Sequence, residues 1–263
     1  MLSITCPVET VPLQVFESLQ RAIRINREYK PTPVLEDQLR AINPHAPTLW
    51  QSLMKDKVIK SFKRMARKQH KLVSDYAKRD ITTIAHENDF APMNLLRFIL
   101  TQSYPAETIA RVFNENQTSL LYKRDRKQFA LAQASDITHI DVLKQSLDNE
   151  AAWIRAFTSK HNLPHRVQDD LVAEQKAAYG RAVATPDILL TQPIEINGHI
   201  VHWIDYKDYV GGPIDFLAES NAKQCARYVT MWGPGALVYH ACVEGWSLPN
   251  VVMLSRCLDA TDL

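Results

Sequence analysis

Apolar residues recur at helical intervals through much of the first half of the chain. A predicted helix that begins at Pro47 carries an apolar stripe on a surface otherwise covered by lysine and arginine. Two later segments are short and strongly apolar, and the turn between them ends in Pro92, a residue type favoured at the first helical position. Helix, turn and helix is the layout of a helix-turn-helix unit, although a plain helical bundle fits this pattern equally well. The predicted helices cover residues 15–25, 34–42, the stretch that begins at 47, 81–89 and 93–102.

The pattern changes in the second half, after a helix predicted over 148–161 with Asp148 as its capping residue. Residues 186–212 are rich in isoleucine, valine and aromatic side chains, and Asn197-Gly198 between two apolar runs predicts a two-residue hairpin turn. The remaining predicted elements are a helix over 216–231, a turn at 233–235 and a buried strand over 236–243. These elements predict an α+β or α/β protein of two modules, a helical one over 1–140 and a strand-containing one over 141–263.

Composition narrows the class of protein. The chain has 263 residues, of which 46% are hydrophobic and 23% charged, as in ordinary globular domains. No apolar run approaches the roughly 20 residues that span a bilayer, and the first residues lack a signal-peptide pattern. The four cysteines, Cys6, Cys225, Cys242 and Cys257, are scattered without a CxxC pair, which favours a reducing compartment. We therefore expect a soluble intracellular protein, in the nucleus and cytoplasm, without a membrane partner.

Charge is distributed unevenly along the chain. The net charge of +2 divides into +7 for residues 1–140 and −5 for residues 141–263, and residues 55–79 alone carry +8. Such a run can bind phosphates, act as a nuclear-import signal or form the solvated face of a helix. Because the excess is too one-sided for a neutral salt-bridged face, we expect nucleic acid as the partner, DNA ahead of RNA.

The candidate chemistry lies in the strand-rich region. Pro186-Asp187, followed by Asp205-Tyr206-Lys207, matches the PD…(D/E)xK layout of a large nuclease superfamily. Two carboxylates can hold Mg²⁺ or Mn²⁺, which polarises a phosphate and lowers the pKa of bound water, while a lysine orients that water. Acid-x-Lys triplets also occur at 125–127 and 174–176, but only the third lies on a predicted strand after Pro-Asp. The plain alternative is an edge strand with an ordinary Asp–Lys pair.

Three separated motifs carry a family resemblance. Thr185-Pro186-Asp187, the stretch 198–207 and the stretch 231–240 together resemble the TPD-motif family, which is the family of the codanin-interacting nuclease in the PD-(D/E)xK superfamily. Residues 85–100 also resemble the helix-turn-helix region of that family. The resemblance covers roughly residues 80–245. It implies helix-turn-helix units followed by a metal-dependent nuclease domain of αβββαβ topology, and a codanin-like protein partner.

The resemblance also implies roles for particular residues. It assigns the metal ion to Asp187, Asp205 and Tyr206, and catalysis to the same two acids with Lys207, Glu150 and Gln224. Many family members carry glutamate where Asp205 stands here, and either carboxylate can bind Mg²⁺. Glu150 is the acid expected from the helix before the first strand, with Asp169, Asp170 and Glu174 as alternatives. Gln224 and Tyr228 lie four residues apart on one helix face and resemble a QxxxY nuclease signature, interior packing being the alternative.

The hairpin turn makes a geometric demand on this assignment. If Ile196 pairs with His199, a regular antiparallel ladder places Ile188 opposite Lys207. Directly opposed residues share a face of the sheet, so Ile188 would point toward the proposed site. Asp187 would then point away from it, and the metal site could not form.

An irregularity in the first strand would remove this conflict. One extra residue turns every following side chain to the other face, and Pro193 cannot donate a ladder hydrogen bond. A β-bulge or strand break is therefore predicted around residues 191–193, which returns Asp187 to the face of Asp205. The second strand is expected to alternate regularly, which places His199 on that same face.

The chain is thus predicted to be a Mg²⁺-dependent nuclease that cleaves phosphodiester bonds, with a basic helical module that binds nucleic acid. Two other functions remain open. One is a catalytically weak or inactive nuclease-fold adaptor that acts through a codanin-like partner. The other is a helix-turn-helix DNA-binding regulator with a C-terminal dimerisation module. The intact Asp187, Asp205 and Lys207 favour the nuclease.

Overall fold

The structure, a computed structural model, describes residues 1–136 and 139–256, without the side chains of 139–143. The chain forms two compact units. The sheet unit consists of Met1–Ser18, Ile42–Ser52 and the chain from Lys144 onward, and the helical unit of Leu19–Ala41 and Leu53–Leu143. The division after residue 143 lies near the expected boundary at 140. The N-terminal residues differ from the expectation, because two segments of the first 140 residues belong to the sheet unit.

Eleven α-helices lie within the described residues. They are α1 (Leu13–Ile25), α2 (Pro33–Ile42), α3 (Ala46–Arg67), α4 (Gln69–Tyr76), α5 (Ile81–Asn88), α6 (Pro92–Leu100), α7 (Ala106–Glu115), α8 (Lys123–Ala134), α9 (His139–Lys160), α10 (Gln168–Tyr179) and α11 (Asp215–Trp232). The five helices predicted in the first half are confirmed as α1, α2, α3, α5 and α6. Helix α5 ends where Asp89 adopts a left-handed conformation, with φ of 53°.

Helix α6 is a core element of the helical unit. Five of its nine residues are buried: Pro92, Leu95, Leu96, Ile99 and Leu100. All of them except Pro92 pack with apolar residues of α4, α5, α7 and α8 in one cluster. The helix–turn–helix order of α5 and α6 is therefore present, but α6 presents few side chains to a DNA groove.

Eight strands complete the described structure. They are β1 (Ser3–Ile4), β2 (Thr10–Val11), β3 (His165–Val167), β4 (Ile188–Ile196), β5 (His199–Tyr206), β6 (Gly235–Tyr239), β7 (Cys242–Val243) and β8 (Val251–Ser255). The main sheet has the order β1-β4-β5-β6-β8, with β3 also paired to β4. Strands β4 and β5 are antiparallel, whereas β5, β6 and β8 run parallel. The protein is therefore of mixed α+β class.

Two helices cover opposite faces of this sheet. Trp153 and Phe157 of α9 pack against one face, in a cluster that contains Ile204. Tyr228 of α11 packs against the other face, in a cluster that contains Trp203. Because neighbours on β5 belong to different clusters, both faces of the sheet are buried, as expected for strands with long apolar runs.

Three sequence predictions need correction. Helix α9 begins at His139, so Asp148 lies inside the helix and does not cap it. The strand predicted over 236–243 is two strands, since β6 ends at Tyr239 and β7 begins at Cys242. Strands β1, β2, β3 and β8 were not predicted. The first two have two residues each and are formed by parallel pairing with the distant β4 and β7, which no local pattern signals.

The N-terminal segments are attached to the sheet unit by backbone pairing. Ser3–Ile4 pairs with Glu195 and Ile196, and Thr10–Val11 pairs with Cys242 and Val243. Cys6, Cys225 and Cys242 are free thiols, and Cys257 lies outside the described residues. Across the part of the chain that the structure describes, every helix is too short or too polar to cross a membrane.

Candidate active site at the end of the β4–β5 hairpin

The hairpin has the predicted turn and the predicted irregularity. Asn197 and Gly198 have φ values of 52° and 80°, and Ile196 pairs with His199. The register then shifts, because four residues of β4 (190–193) lie opposite the single residue His202. The first strand therefore has three extra residues, where one was predicted. Three is also an odd number, so the side chains before the irregularity are turned to the same face as predicted. The predicted strand irregularity is confirmed.

The irregularity also changes the faces of β5. Val201 packs in the same cluster as Ile204 and Tyr206, whereas Trp203 packs in the cluster on the other face. The regular alternation predicted from His199 onward is therefore wrong. His199 does not share the face of the candidate site, because the phase of the strand changes at residue 202.

Asp187 lies directly before β4, with its carboxylate at the end of the β5 ladder. Its Oδ2 accepts a hydrogen bond of 2.7 Å from the backbone N–H of Tyr206, and its Oδ1 accepts a long one of 3.5 Å from Gln168. The residue is 7% exposed. Burial, and then repulsion from Asp205 and Glu150, raises the pKa of Asp187 to about 8.

Asp205 and Lys207 form a buried ion pair beside it. Oδ2 of Asp205 is paired with Nζ of Lys207, and it accepts no hydrogen bond of regular geometry from the described residues. Asp205 is only 1% exposed. Burial opposes the charged form of Lys207, but the attraction of Asp205 outweighs it and the net effect raises the lysine pKa. The lysine therefore carries its positive charge at neutral pH.

The predicted Gln224–Tyr228 pair is part of the same cluster. Nε2 of Gln224 donates to the Tyr228 hydroxyl over 2.7 Å. That hydroxyl lies 3.1 Å from the carbonyl oxygen of Thr185 and 3.4 Å from Oδ1 of Asp205. Burial, and then the negative charge of Asp205, raises the pKa of Tyr228, so the phenol stays protonated as a donor. The pair thus links helix α11 to the motif residue Thr185.

Glu150 is the third acid of the cluster. It lies on α9 and is half-buried, and burial followed by repulsion from Asp205 raises its pKa. The three alternative acids, Asp169, Asp170 and Glu174, are exposed on α10. Glu174 is ion-paired with Arg166. Electrostatic contact with the cluster therefore distinguishes Glu150 from the alternatives.

Sequence reasoning missed a second polar cluster next to the site. Asp208 accepts hydrogen bonds from the Tyr206 hydroxyl at 3.0 Å, from Asn149 at 3.2 Å and from His240 at 2.7 Å, and Arg256 lies 3.6 Å away. Burial opposes ionisation, but these donors, His240 first, lower the pKa of Asp208 below its ordinary range. Both residues could have been found from the sequence, because Asp208 directly follows Asp205-Tyr206-Lys207 and His240 ends the 231–240 motif.

The donor set suits a hard divalent cation. No three His, Cys, Asp or Glu side chains stand at metal-ligating spacing among the described residues. Mg²⁺, however, is commonly bound by one or two carboxylates and keeps several waters. Asp187 and Asp205 provide two buried carboxylates whose mutual repulsion a cation would relieve. The Tyr206 hydroxyl donates to Asp208. If Tyr206 contacts a metal ion, its main-chain carbonyl oxygen would therefore be the ligand.

Comparison with known proteins places this region in a family. Residues 124–247 match the family model described as "Protein of unknown function TPD sequence-motif". Over these residues, which are just under half of the chain, the sequence is similar to the TPD-motif family. The resemblance inferred from the three motifs is thereby confirmed, and every predicted site residue lies inside the matched TPD region.

The chain is also similar to several curated proteins. It is 31% identical over 119 residues to "Uncharacterized protein L539" of Acanthamoeba polyphaga mimivirus, covering 43% of this chain and 41% of that protein. It is 25% identical over 179 residues to "CDAN1-interacting nuclease 1" of Homo sapiens, covering 64% of this chain and 61% of that protein. The Mus musculus protein of that name is 26% identical over 167 residues, covering 59% and 57%.

These similarities are partial. The matches span less than two thirds of the length of each of these relatives. No solved structure matches the chain significantly. Two of these relatives are named as nucleases, so the TPD region is similar to proteins of a nuclease-related family.

Proposed function

We propose that this protein is a metal-dependent nuclease of the PD-(D/E)xK class that hydrolyses phosphodiester bonds of nucleic acid, DNA ahead of RNA. The observation that carries the proposal is the buried cluster of Asp187, Asp205 and Lys207. Two carboxyl groups and an ammonium group meet at one end of the hairpin, although burying three ionisable groups is costly. Such perturbed ionisable groups concentrate at functional sites.

The residues of the cluster would have separate roles in catalysis. Asp187 and Asp205, with the main-chain carbonyl of Tyr206, would hold Mg²⁺ or Mn²⁺. When bound, the cation polarises the scissile phosphate and lowers the pKa of a bound water. Lys207 keeps its proton and can donate to a water or phosphate oxygen at the same edge. Gln224, through Tyr228, holds the orientation of Asp205.

A cleavage assay with matched variants tests the proposal. Purified protein is incubated with Mg²⁺ or Mn²⁺ and labelled single-stranded, duplex, flap and junction DNA, with RNA versions alongside. The wild type should cleave at least one substrate, and Asp187→Asn and Asp205→Asn should not. Asp170→Asn, on the exposed surface of α10, is the matched control and should cleave normally.

Two results would overturn the assignment. One is cleavage that survives in both active-site variants, which would point to a contaminant or another site. The other is cleavage that is equally strong in excess EDTA, which would remove the metal from the reaction. The proposed compartments, nucleus and cytoplasm, are tested separately by imaging a tagged chain.

A partner-dependent adaptor is the second candidate, because several relatives are named for an interaction with CDAN1. In that case a codanin-like protein would bind this chain whether or not the site is intact. Co-elution of purified CDAN1 homologue with wild type and with Asp187→Asn tests this. Equal co-elution, together with no cleavage by the wild type on any substrate, would favour the adaptor over the nuclease.

A further inference from the structure

The helical unit contains an open cavity of about 260 Å³ with an unusual lining of charged side chains. It lies between α1, α3 and the residue that follows α5. Its lining includes two acids and four cations. They are Asp56, Asp89, Arg24, Lys57, Lys60 and Arg64. The apolar side chains of Ile23 and Leu53 and the amide side chain of Gln20 complete the wall.

Two of the charged side chains, Lys57 and Asp89, are paired with groups of the helical unit itself. Lys57 pairs with Asp89 Oδ1 at 2.7 Å and also binds the carbonyl oxygens of Ile23 and Asn26. The same Asp89 oxygen accepts a hydrogen bond of 3.1 Å from the Tyr29 hydroxyl. These groups hold α1, α3 and the end of α5 together, and they leave little capacity for a ligand.

The other four charged side chains are only partly satisfied, since Arg64 donates to the carbonyl oxygen of Asp89 over 3.1 Å and lies 3.7 Å from its Oδ2. Asp56 is 8% exposed, and its Oδ2 is paired with Lys60 at 2.6 Å. Its Oδ1 is buried without a hydrogen-bond donor among the described residues. An acceptor in that state is costly unless a ligand supplies a donor. On the opposite wall Arg24 is exposed, and it makes no ion pair with the described residues.

The cavity continues into a second one of about 550 Å³. The two share Arg24, Arg64 and Asp89. The second adds two cations, Arg27 and Lys68, and one acid, Glu87, which is ion-paired with Arg79. Together they form one basic cleft, with cations spaced along its length. A polyanion fits this arrangement better than an amino acid, whose single carboxylate needs one cation.

We infer that this cleft binds single-stranded nucleic acid, with one unpaired base in the first cavity. The base would donate an N–H group to Oδ1 of Asp56, and the phosphates would lie along Arg24, Arg64 and Lys68. An unpaired strand is required, because only an unstacked base can present its edge inside a cavity. The inference takes nucleic acid from the proposed function and adds a strand-binding site in the helical unit.

Binding without metal tests this site independently of cleavage. The probe is a fluorescein-labelled single-stranded DNA 15-mer of mixed sequence, and anisotropy is measured with the full chain in EDTA. Arg24→Glu/Arg64→Glu should weaken binding by about tenfold or more and flatten the salt dependence. Lys63→Glu/Arg67→Glu is the matched control, because it makes the same charge change on α3 outside both cavities. This control should weaken binding less.

The direction in which Asp56→Asn changes the affinity for single-stranded DNA distinguishes base binding in the cavity from general electrostatic attraction. Removing a negative charge beside phosphates should tighten binding if attraction alone operates. In Asp56→Asn the amide oxygen should face the Lys60 ammonium and the amide N–H the cavity, so the acceptor for the base is lost and binding should weaken by about three- to tenfold if a base fills the cavity. Thermal melting of each variant confirms that it is folded, and Asp56→Asn is expected to melt no lower than wild type.

Three outcomes would overturn the inference. They are absence of single-strand binding by the wild type at low salt, equal weakening by the two double variants, and unchanged or tighter binding by Asp56→Asn. An inactive nuclease site would not affect any of these readouts. A failed cleavage assay with intact binding would therefore reject the proposed function and leave the cleft in place.

Discussion

Replacing Asp187 with asparagine should stabilise the metal-free protein at neutral pH and have little effect at pH 4. The folded-state pKa of this carboxyl group is about 8, against an ordinary value of 3.8. Between these values the folded state holds a proton that the unfolded state has released. Because the folded state binds more protons, the free energy of unfolding of the wild type falls as pH rises through this window.

The size of the effect follows from the pKa difference. Each pH unit in the window costs about 1.4 kcal/mol, so the wild type loses at most about 4 kcal/mol between pH 4 and pH 7. Asparagine carries no charge and still offers an oxygen to the Tyr206 N–H, so the Asp187→Asn variant avoids this loss. The stability gap between variant and wild type should therefore open with rising pH.

Urea denaturation followed by circular dichroism at several pH values measures this gap. Asp170→Asn, on the exposed surface, is the control and should change stability by no more than about 0.5 kcal/mol at any pH. Added Mg²⁺ should stabilise the wild type, since a ligand of the folded state raises its stability, and should not stabilise Asp187→Asn. A variant that is less stable at pH 7, or a gap that is equal at pH 4 and pH 7, would refute the reasoning.

Three further predictions concern neighbouring residues. Lys207→Met leaves a buried carboxylate unpaired and should cost about 3 kcal/mol by urea denaturation, whereas Lys223→Met removes an exposed ion pair and should cost under about 1 kcal/mol. Asp208→Asn weakens a charged acceptor and should cost about 1–3 kcal/mol at pH 7; because the pKa of Asp208 is lowered, this cost should shrink as pH falls from the ordinary value of 3.8 through the lowered pKa. Gly235→Ala places a methyl group 2.1 Å from the Trp203 ring and should lower the melting temperature, with a cost of about 3 kcal/mol or more.

The sequence by itself determined the elements whose causes are local. The Asn197-Gly198 turn needs two residues with positive φ, and these residue types adopt it readily, so the hairpin and its first pair could be predicted. Counting residues from that turn was enough to require an irregularity near Pro193. The short motifs then identified Asp187, Asp205, Lys207 and the Gln224–Tyr228 pair, which the structure brings together.

The tertiary structure decided what depends on residues far apart in the chain. Strands β1 and β2 are two residues long and exist through pairing with strands more than 190 residues away, so no local pattern marks them. The size of the β4 irregularity and the change of phase at His202, which sets the face of His199, are visible only in the paired and packed strands. Asp208 accepts hydrogen bonds from three residues, Asn149, Tyr206 and His240, and Oδ1 of Asp56 is buried without a donor among the described residues. Hydrogen bonding and burial at these positions are properties of the packed chain, since each requires groups that the sequence order does not place together.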